Sequence, residues 1–490
     1  MAQPVRTRFA PSPTGFLHVG SIRAALFDVL FTRQNNGTFI LRIEDTDANR
    51  KVEGAVEAIM DDLRWLNLEW DEGPDIGGKF GPYIQSQRLE KYKAAAQLLL
   101  EKGAAYKCYC SQERLETLRA YQTKNKLPPG YDRCCRNLTP AEQVQKEKEG
   151  ISTPVVRFKT PLQGQTVVHD VIWGDVVFQN STLEDLVLMK SDGYPTYHLA
   201  NIVDDHDMQI THVLRGEEWM SSTPCHIMLH NAMGYELPKF VHLPMLLGSD
   251  HAKLGKRHGS TSIWQFREQG YLPEAMINFL ALLGWSLDDK TEIISREDLI
   301  KNFSLERVNK TAAIFNYEKL QWMNGQYMRK LTPEDFVKRA LPFLEKGLSA
   351  EVKRPLDIAY VKMVLPLVQE RVKLLSEVAA LSEYFFIEKL HYDSQLLIGK
   401  DMTVESTVSA LKISLEHLEK QADFDAASLE AMMRQLCVEL KLKAGQLFGA
   451  VRTAITGRTA TPPLFQMMAV LGKERSLARI DDAIKRLTGK

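Results

Sequence analysis

Between a short alternating strand over residues 4–10 and a helix expected over Ser21–Asn35 lies the run Pro11-Ser12-Pro13-Thr14-Gly15-Phe16-Leu17-His18-Val19-Gly20. Gly15 and Gly20 let backbone approach a ligand closely, the helix start offers free N–H groups to phosphate, and His18 can donate a hydrogen bond to charge developing there. Far along the chain, Lys253-Leu254-Gly255-Lys256-Arg257 puts three cations into five residues of a polar loop. Mobile lysines suit a pyrophosphate leaving group, where charge grows only in the transition state and a loop can close over it. Taken singly, each run also reads more plainly, as a Pro-rich turn with a capping histidine and as a solvated basic loop.

The elements that must position these residues follow from periodicity. Ile22, Ala25, Leu26, Val29 and Leu30 recur at helical spacing, Asn36-Gly37 is a left-handed stop, and a strand over Thr38–Ile43 follows at once. This β-α-β alternation predicts a parallel sheet with ligands at the carboxyl ends of its strands. Residues 85–105 read as helix, while 108–190 bring four cysteines and β-rich runs and read as an insertion. Sheet signals return over Leu186–Arg215 and Phe240–Leu247, and the sheet domain closes near Gly259. Helical periodicity then takes over: Leu272-Pro273-Glu274, Ser295-Arg296-Glu297-Asp298 and Thr332-Pro333-Glu334-Asp335 all look like helix starts.

The 490 residues suggest about three domains, and 44% apolar with 25% charged residues exclude a mainly disordered chain. Lys plus Arg (62) equals Asp plus Glu (62), so no global field draws the protein to a polyanion, which must be met locally. The charge is unevenly placed: residues 381–440 hold 5 basic and 11 acidic side chains, residues 441–490 hold 10 and 3, making the tail the expected basic surface. No signal-peptide core and no run of ~20 apolar residues is present, so no membrane association and a cytoplasmic location are expected.

The pairing of a His-Val-Gly element with a Lys-Leu-Gly-Lys-Arg loop resembles the two signatures of class I aminoacyl-tRNA synthetases. The segments Arg8-Phe9-Ala10-Pro11-Ser12-Pro13-Thr14-Gly15, Leu41-Arg42-Ile43-Glu44-Asp45-Thr46-Asp47, Asp71-Glu72-Gly73-Pro74, Ser191-Asp192-Gly193-Tyr194-Pro195-Thr196-Tyr197 and Leu214-Arg215-Gly216-Glu217-Glu218-Trp219 extend that likeness, over essentially the whole chain, to the bacterial glutamyl-tRNA synthetases. The resemblance implies an α/β protein: a Rossmann-type parallel-sheet catalytic domain with an inserted α+β subdomain, followed by an all-α C-terminal region. It implies a catalytic domain in two halves (1–107 and 191–260), an acceptor-binding insertion (108–190), a helical connection (261–330) and a helical anticodon-binding region (331–490). It implies ATP with Mg²⁺, L-glutamate and tRNA(Glu) as partners, and a monomer. His18 and Lys256 would be the catalytic residues, with Gly20, Lys253 and Arg257 also at ATP. Glutamate would meet Arg8, Ala10, Ser12, Glu44, Tyr197, Asn201 and Arg215. The chemistry agrees, because two carboxylates and an ammonium call for two guanidinium forks and one acid. Arg371 aligns with an arginine that reads the third anticodon base.

Departures from the family pattern matter unequally. Ser21 replaces a second histidine of the class signature, as is usual in this family, and Gly255 replaces the usual serine of the lysine loop. Cys108-Tyr109-Cys110 and Cys135, with Tyr131, match a zinc spacing of some members, but the usual histidine is Asn137. Structural zinc wants four N or S ligands, and Cys134 could serve only if the backbone bends to present adjacent thiols; reduced thiols without metal are the alternative. Three further readings stay open: a non-discriminating form that also charges tRNA(Gln), a glutaminyl enzyme, and a non-catalytic relative. The helical C-terminus and the arginine pair disfavour the second. The presence of His18, Lys256 and both substrate arginines disfavours the third.

Overall fold

The computed structural model describes residues 3–47, 50, 52–148 and 153–489; the side chain of Lys256 lies outside the described residues. The chain divides into two compact units, residues 1–266 with 273–317, and residues 267–272 with 318–490.

The first unit is built on a sheet whose two halves meet at β1 (Arg6–Phe9). The first helix, Val19–Gln34, crosses over to β2 (Thr38–Leu41), which pairs in parallel with β1 from Arg6↔Thr38 to Phe9↔Leu41. On the other edge of β1, the Thr211 backbone N–H donates to the Arg6 carbonyl at 3.0 Å and the Arg6 N–H to the Thr211 hydroxyl at 2.8 Å. This contact seats β8 (His212–Gly216) beside β1, and β8 pairs in parallel with β9 (Lys239–Leu243). The crossovers leave β1 and β8 in opposite directions, a switch point at which the carboxyl ends of the two strands open a crevice. This is a Rossmann-type sheet.

The segment 108–190 contributes to two sheets. An antiparallel one joins β3 (Ala105–Cys108), β4 (Val155–Phe158) and β7 (Val187–Met189), with the helices Gln112–Lys124 and Pro140–Lys148 in the same segment. The hairpin of β5 (Gln165–Asp170) and β6 (Gly174–Gln179) instead extends the catalytic sheet, because Asp170 pairs in parallel with Phe240 of β9. Asp170 Oδ1 closes the turn by accepting from the N–H groups of Ile172 and Trp173, both at 2.9 Å.

The first helix is buried almost all round, which explains a sequence that is apolar on more than one face. It carries Asp28, fully buried, with neither carboxyl oxygen hydrogen-bonded among the described residues. Burial, opposed by Arg8, pushes this carboxyl well above the ordinary carboxylate range. The folded state therefore binds a proton that the unfolded chain releases above about pH 4, and stability falls as pH rises past that value. Asp28→Asn is expected to raise Tm by about 2 °C or more at pH 8 and to leave it nearly unchanged at pH 4, by differential scanning calorimetry. An equal shift at both pH values would assign the effect to packing instead.

The second unit is helical. Its core joins Phe385, Leu411, Met433, Leu447, Val451, Met468 and Ile480, all within a few per cent of full burial. Thr332 caps its helix as the Thr-Pro-Glu-Asp run predicts, its hydroxyl accepting from the Asp335 N–H at 3.2 Å. The basic tail is spent differently from the expected open surface. Arg475 donates to the Phe385 carbonyl, Arg479 to those of Ile455 and Ile387, Arg486 to that of Leu390, and Lys473 to those of Glu419 and Gln421, at 2.6–2.9 Å. These cations satisfy carbonyls at helix ends and loops, so part of the local charge surplus is structural. Among the described residues, no helix is long and apolar enough to cross a membrane.

Candidate active site

A cleft of about 1500 Å³ opens at the switch point. Its wall brings together Arg8, Ala10, Ser12, His18, Gly20, Glu44, Tyr197, Asn201, Arg215 and Lys253, ten of the residues singled out in the sequence. Lys256 opens the short turn Lys256–His258, and its side chain is outside the described residues. Arg257 does not line the cleft; it is two-thirds exposed and pairs with Asp250 at 3.3 Å. Arg371 lies in the other unit, exposed just beyond the helix Ile358–Gln369.

His18 caps the first helix: its Nδ1 accepts from the Gly20 N–H at 3.1 Å. An accepting Nδ1 requires the ring proton on Nε2 when the imidazole is neutral, which makes Nε2 a donor. Burial first, then Lys253, pushes the His18 pKa down, so the neutral donor is the form present. Gly15 takes φ of 145°, a conformation that side chains resist, with open space beside it. The loop is stitched to the chain beyond the lysine loop by Val19 N–H to Thr261 carbonyl and Ile263 N–H to Leu17 carbonyl, at 2.9 and 3.0 Å. At Gly255, by contrast, a Cβ would meet only the Lys253 carbonyl at 4.0 Å, so the glycine answers no steric demand.

Two buried cationic centres lie deeper. Arg8 gives its Nε to Asp205 at 3.0 Å, and Arg42 bridges Asp205 (2.7 Å) and Glu44 (3.2 Å). Burial pulls the Asp205 carboxyl upward, but the Arg8 and Arg42 guanidinium groups outweigh it and hold Asp205 below the usual range. Burial wins at Glu44, which is raised despite Arg42. Tyr197, Asn201 and Asp205 repeat every four residues on the helix Tyr197–Asp207, which sets them on one face. Asn201 Nδ2 donates to Glu44 at 3.3 Å. Behind them Asp204 holds Arg88 (2.6 Å), Tyr92 (2.8 Å) and Gln85 (2.9 Å).

The second centre is Arg215 at the end of β8. It donates to Tyr197 Oη (2.8 Å), Thr223 Oγ1 (2.8 Å), His242 Nε2 (3.1 Å) and the Trp219 carbonyl (3.4 Å), with His226 Nδ1 at 3.4 Å. Burial and Arg215 push His226 far down and His198 to about 4, and burial also lowers His242, so these rings are neutral. Every partner is uncharged: among the described residues this buried guanidinium has no carboxylate. A desolvated cation without an anion is costly unless a ligand supplies one. Trp219, its ring 4.6 Å from that of Tyr197, also lines the cleft.

Sequence reasoning missed Arg42, Asp204, Asp205, Asp170 and the histidines around Arg215. One signal was available: Asp204-Asp205 are adjacent acids directly after the apolar pair Ile202-Val203.

In the insertion, Cys110 Sγ lies 3.3 Å from Cys134 and 3.6 Å from Cys135, and Cys134 and Cys135 are 3.6 Å apart. The Sγ atoms of Cys108, Cys110 and Cys135 lie within 4.8 Å of one another. Tyr131 Oη meets Cys108 at 3.2 Å. Arg133, in left-handed backbone (φ 59°), precedes the two adjacent thiols, of which Cys135 is buried and Cys134 exposed. Hydrogen bonds from Cys108 and Cys110 hold Cys135 well below the ordinary thiol value.

A parallel sheet with a switch-point cleft, a histidine-capped glycine loop and a lysine-bearing loop on the cleft wall define the class I aminoacyl-tRNA synthetase architecture. Residues 4–322 match the family described as tRNA synthetases class I (E and Q), catalytic domain, and residues 335–484 match the anticodon binding domain family. The chain belongs to this glutamyl and glutaminyl branch of the class I synthetases. It is 55% identical over 488 residues to a glutamate–tRNA ligase of Dehalococcoides mccartyi, covering 100% of this chain and 99% of that one. A glutamate–tRNA ligase of Moorella thermoacetica is 48% identical, with 98% of each covered. Among solved structures, a glutamate tRNA ligase from Elizabethkingia meningosepticum in complex with its amino acid superimposes with a TM-score of 0.88 at 35% identity, covering 99% of both chains.

Proposed function

We propose that the protein is a glutamate–tRNA ligase. The glutamate α-carboxylate attacks the α-phosphorus of ATP, pyrophosphate leaves, and the 2′-hydroxyl of the terminal adenosine of tRNA(Glu) then takes the glutamyl group as AMP leaves. The observation that carries this reading is Arg215, a buried cation whose protein partners are all neutral, in a cleft that also holds the second guanidinium Arg8. One guanidinium answers the side-chain carboxylate and the other the α-carboxylate region, while Glu44 pairs the ammonium. Ala10 and Ser12 border the amino acid, and Tyr197 and Asn201 fix it from the helix face. His18 Nε2–H and Lys256 stabilise charge on the phosphates, Gly20 admits them, Lys253 acts around the leaving group, Arg257 joins it only on giving up Asp250, and Mg²⁺ accompanies ATP. The relatives' names support glutamate and give no support to a form that also charges glutamine tRNA.

Residues 1–107 and 191–260 would carry activation, 108–190 grip the acceptor end, 261–330 connect, and 331–490 read the anticodon through Arg371. The match of 335–484 to an anticodon binding domain supports the last role. A cytoplasmic monomer fits this work. The test is ATP-dependent charging of purified glutamate tRNA with labelled glutamate: an ester-linked, alkali-labile product is expected, and its absence would refute the reading.

Zinc fits the insertion. Tetrahedral Zn–S bonds of about 2.3 Å place sulfurs about 3.8 Å apart, close to the distances around Cys110. Cys108, Cys110 and Cys135, with Cys134 in place of Asn137, would hold it and fix the fold of the insertion. About one zinc per chain is expected by atomic absorption, and Cys134→Ser should weaken its retention against a chelator roughly tenfold or more. Metal-free protein, or retention indifferent to Cys134, would leave the four as reduced thiols.

A further inference from the structure

Arg215 is aimed by residues outside the cleft wall. Its Nε–H donates to His242 Nε2 at 3.1 Å. On the far side of the ring, His242 Nδ1 meets Asp170 Oδ2 at 2.7 Å, and the His242 backbone N–H donates to the same oxygen at 3.0 Å. Trp173 Nε1 donates to the His242 carbonyl at 2.9 Å, so the hairpin turn grips this residue from both sides. Both side chains of the pair are fully buried. A carboxylate only accepts, so Nδ1 must carry the imidazole proton, and Nε2 is left with a lone pair that can only accept. With the other tautomer, two N–H groups would face each other at 3.1 Å and the guanidinium would have to turn. The remaining groups around Arg215, which are Tyr197, Thr223, His226 and the Trp219 carbonyl, can accommodate more than one rotation of a planar fork.

We propose that Asp170 is a positioning residue: by fixing His242 in the Nδ1–H tautomer it aims the Arg215 guanidinium at the side-chain carboxylate of the bound amino acid. Selection of an acidic over an amide side chain then depends on a residue at the end of β5, in the hairpin contributed by the insertion. This rests on the glutamate reading given above.

The test is ATP–pyrophosphate exchange, with tRNA present, on wild type, Asp170→Asn, His242→Gln and the double variant. An Asn at 170 can donate to Nδ1 and so admits the wrong tautomer, whereas Gln at 242 offers Arg215 a carbonyl oxygen whatever stands at 170. Asp170→Asn is expected to raise KM for glutamate roughly tenfold while moving KM for ATP less than about twofold, and to narrow the preference for glutamate over glutamine. In the His242→Gln background the same substitution should add little. A KM within about twofold of wild type, or an equal penalty in both backgrounds, would make Asp170 a turn-closing residue only. Should Asp170→Asn fail to fold, His242→Leu against His242→Gln decides, since Leu must raise KM for glutamate several-fold more than Gln and equal values overturn the proposal. A wild type inactive with glutamate would instead sink the functional reading and this proposal with it.

Discussion

Arg215→Leu is expected to lower kcat/KM for glutamate in pyrophosphate exchange by a factor of about 10² to 10³. A charge-assisted, desolvated carboxylate contact is worth about 3–4 kcal/mol when one partner is removed, and about 1.4 kcal/mol is a factor of ten. The loss should fall on KM for glutamate and leave KM for ATP nearly unchanged, because the fork lies at the end of β8 and not in the phosphate loop. Arg215→Lys should be almost as damaging, since an ammonium has three donors against the five of a guanidinium, and serving Tyr197, Thr223 and His242 would leave none for a carboxylate. Removing the cation also removes one of the forces that keep His226 neutral, so that ring should titrate closer to its ordinary range, visible by NMR. Unchanged glutamate kinetics in either variant would mean that the side-chain carboxylate is met elsewhere.

His18→Asn should separate two jobs of one residue. Asn is a good helix cap, so the Gly20 N–H stays satisfied and Tm should hold, whereas His18→Ala should cost about 1 kcal/mol of stability. Both variants lose the Nε2 donor, and both should lose about 10² to 10³ in kcat for exchange, with KM for glutamate little affected. Because the His18 pKa is pushed down by burial and Lys253, the wild-type rate should show no histidine limb between pH 7 and 8. Any such limb should lie on the acid side, where protonation would make Nδ1 a donor and break the cap. Retained activity in His18→Asn would move the phosphate contact to another donor.

The sequence made the two loops that border the cleft legible because their signals are local: glycines, a histidine at a helix start and clustered lysines. The strand–helix–strand opening was legible for the same reason, since the Val19–Gln34 helix needs only its own spacing and stop. What escaped is long-range. Asp170 and His242 are 72 residues apart, and Arg8 and Asp205 are 197 apart, and no period in the sequence marks two residues that meet only when strands pair. The hairpin of β5 and β6 reads as part of an insertion, yet the single parallel contact Asp170↔Phe240 joins it to the catalytic sheet. The tail's charge was visible as a sum, but not the carbonyls that consume it. Arg257 shows the converse: sequence context placed it beside Lys256, while Asp250 draws it out of the cleft.

The junction of β1 with β8 also sets a clock. The Arg6–Thr211 contact spans 205 residues, so at about 5–20 residues per second a ribosome would need roughly 10–40 s to deliver the strand that covers the open edge of β1. During that interval β1 and β2 can pair with each other, but the other flank of β1 exposes unpaired backbone beside Phe9, a template for wrong partners. The centre of the finished sheet thus stays uncovered long after β1 has been made, and growing chains of this protein should depend on chaperones most between the emergence of β2 and that of β8.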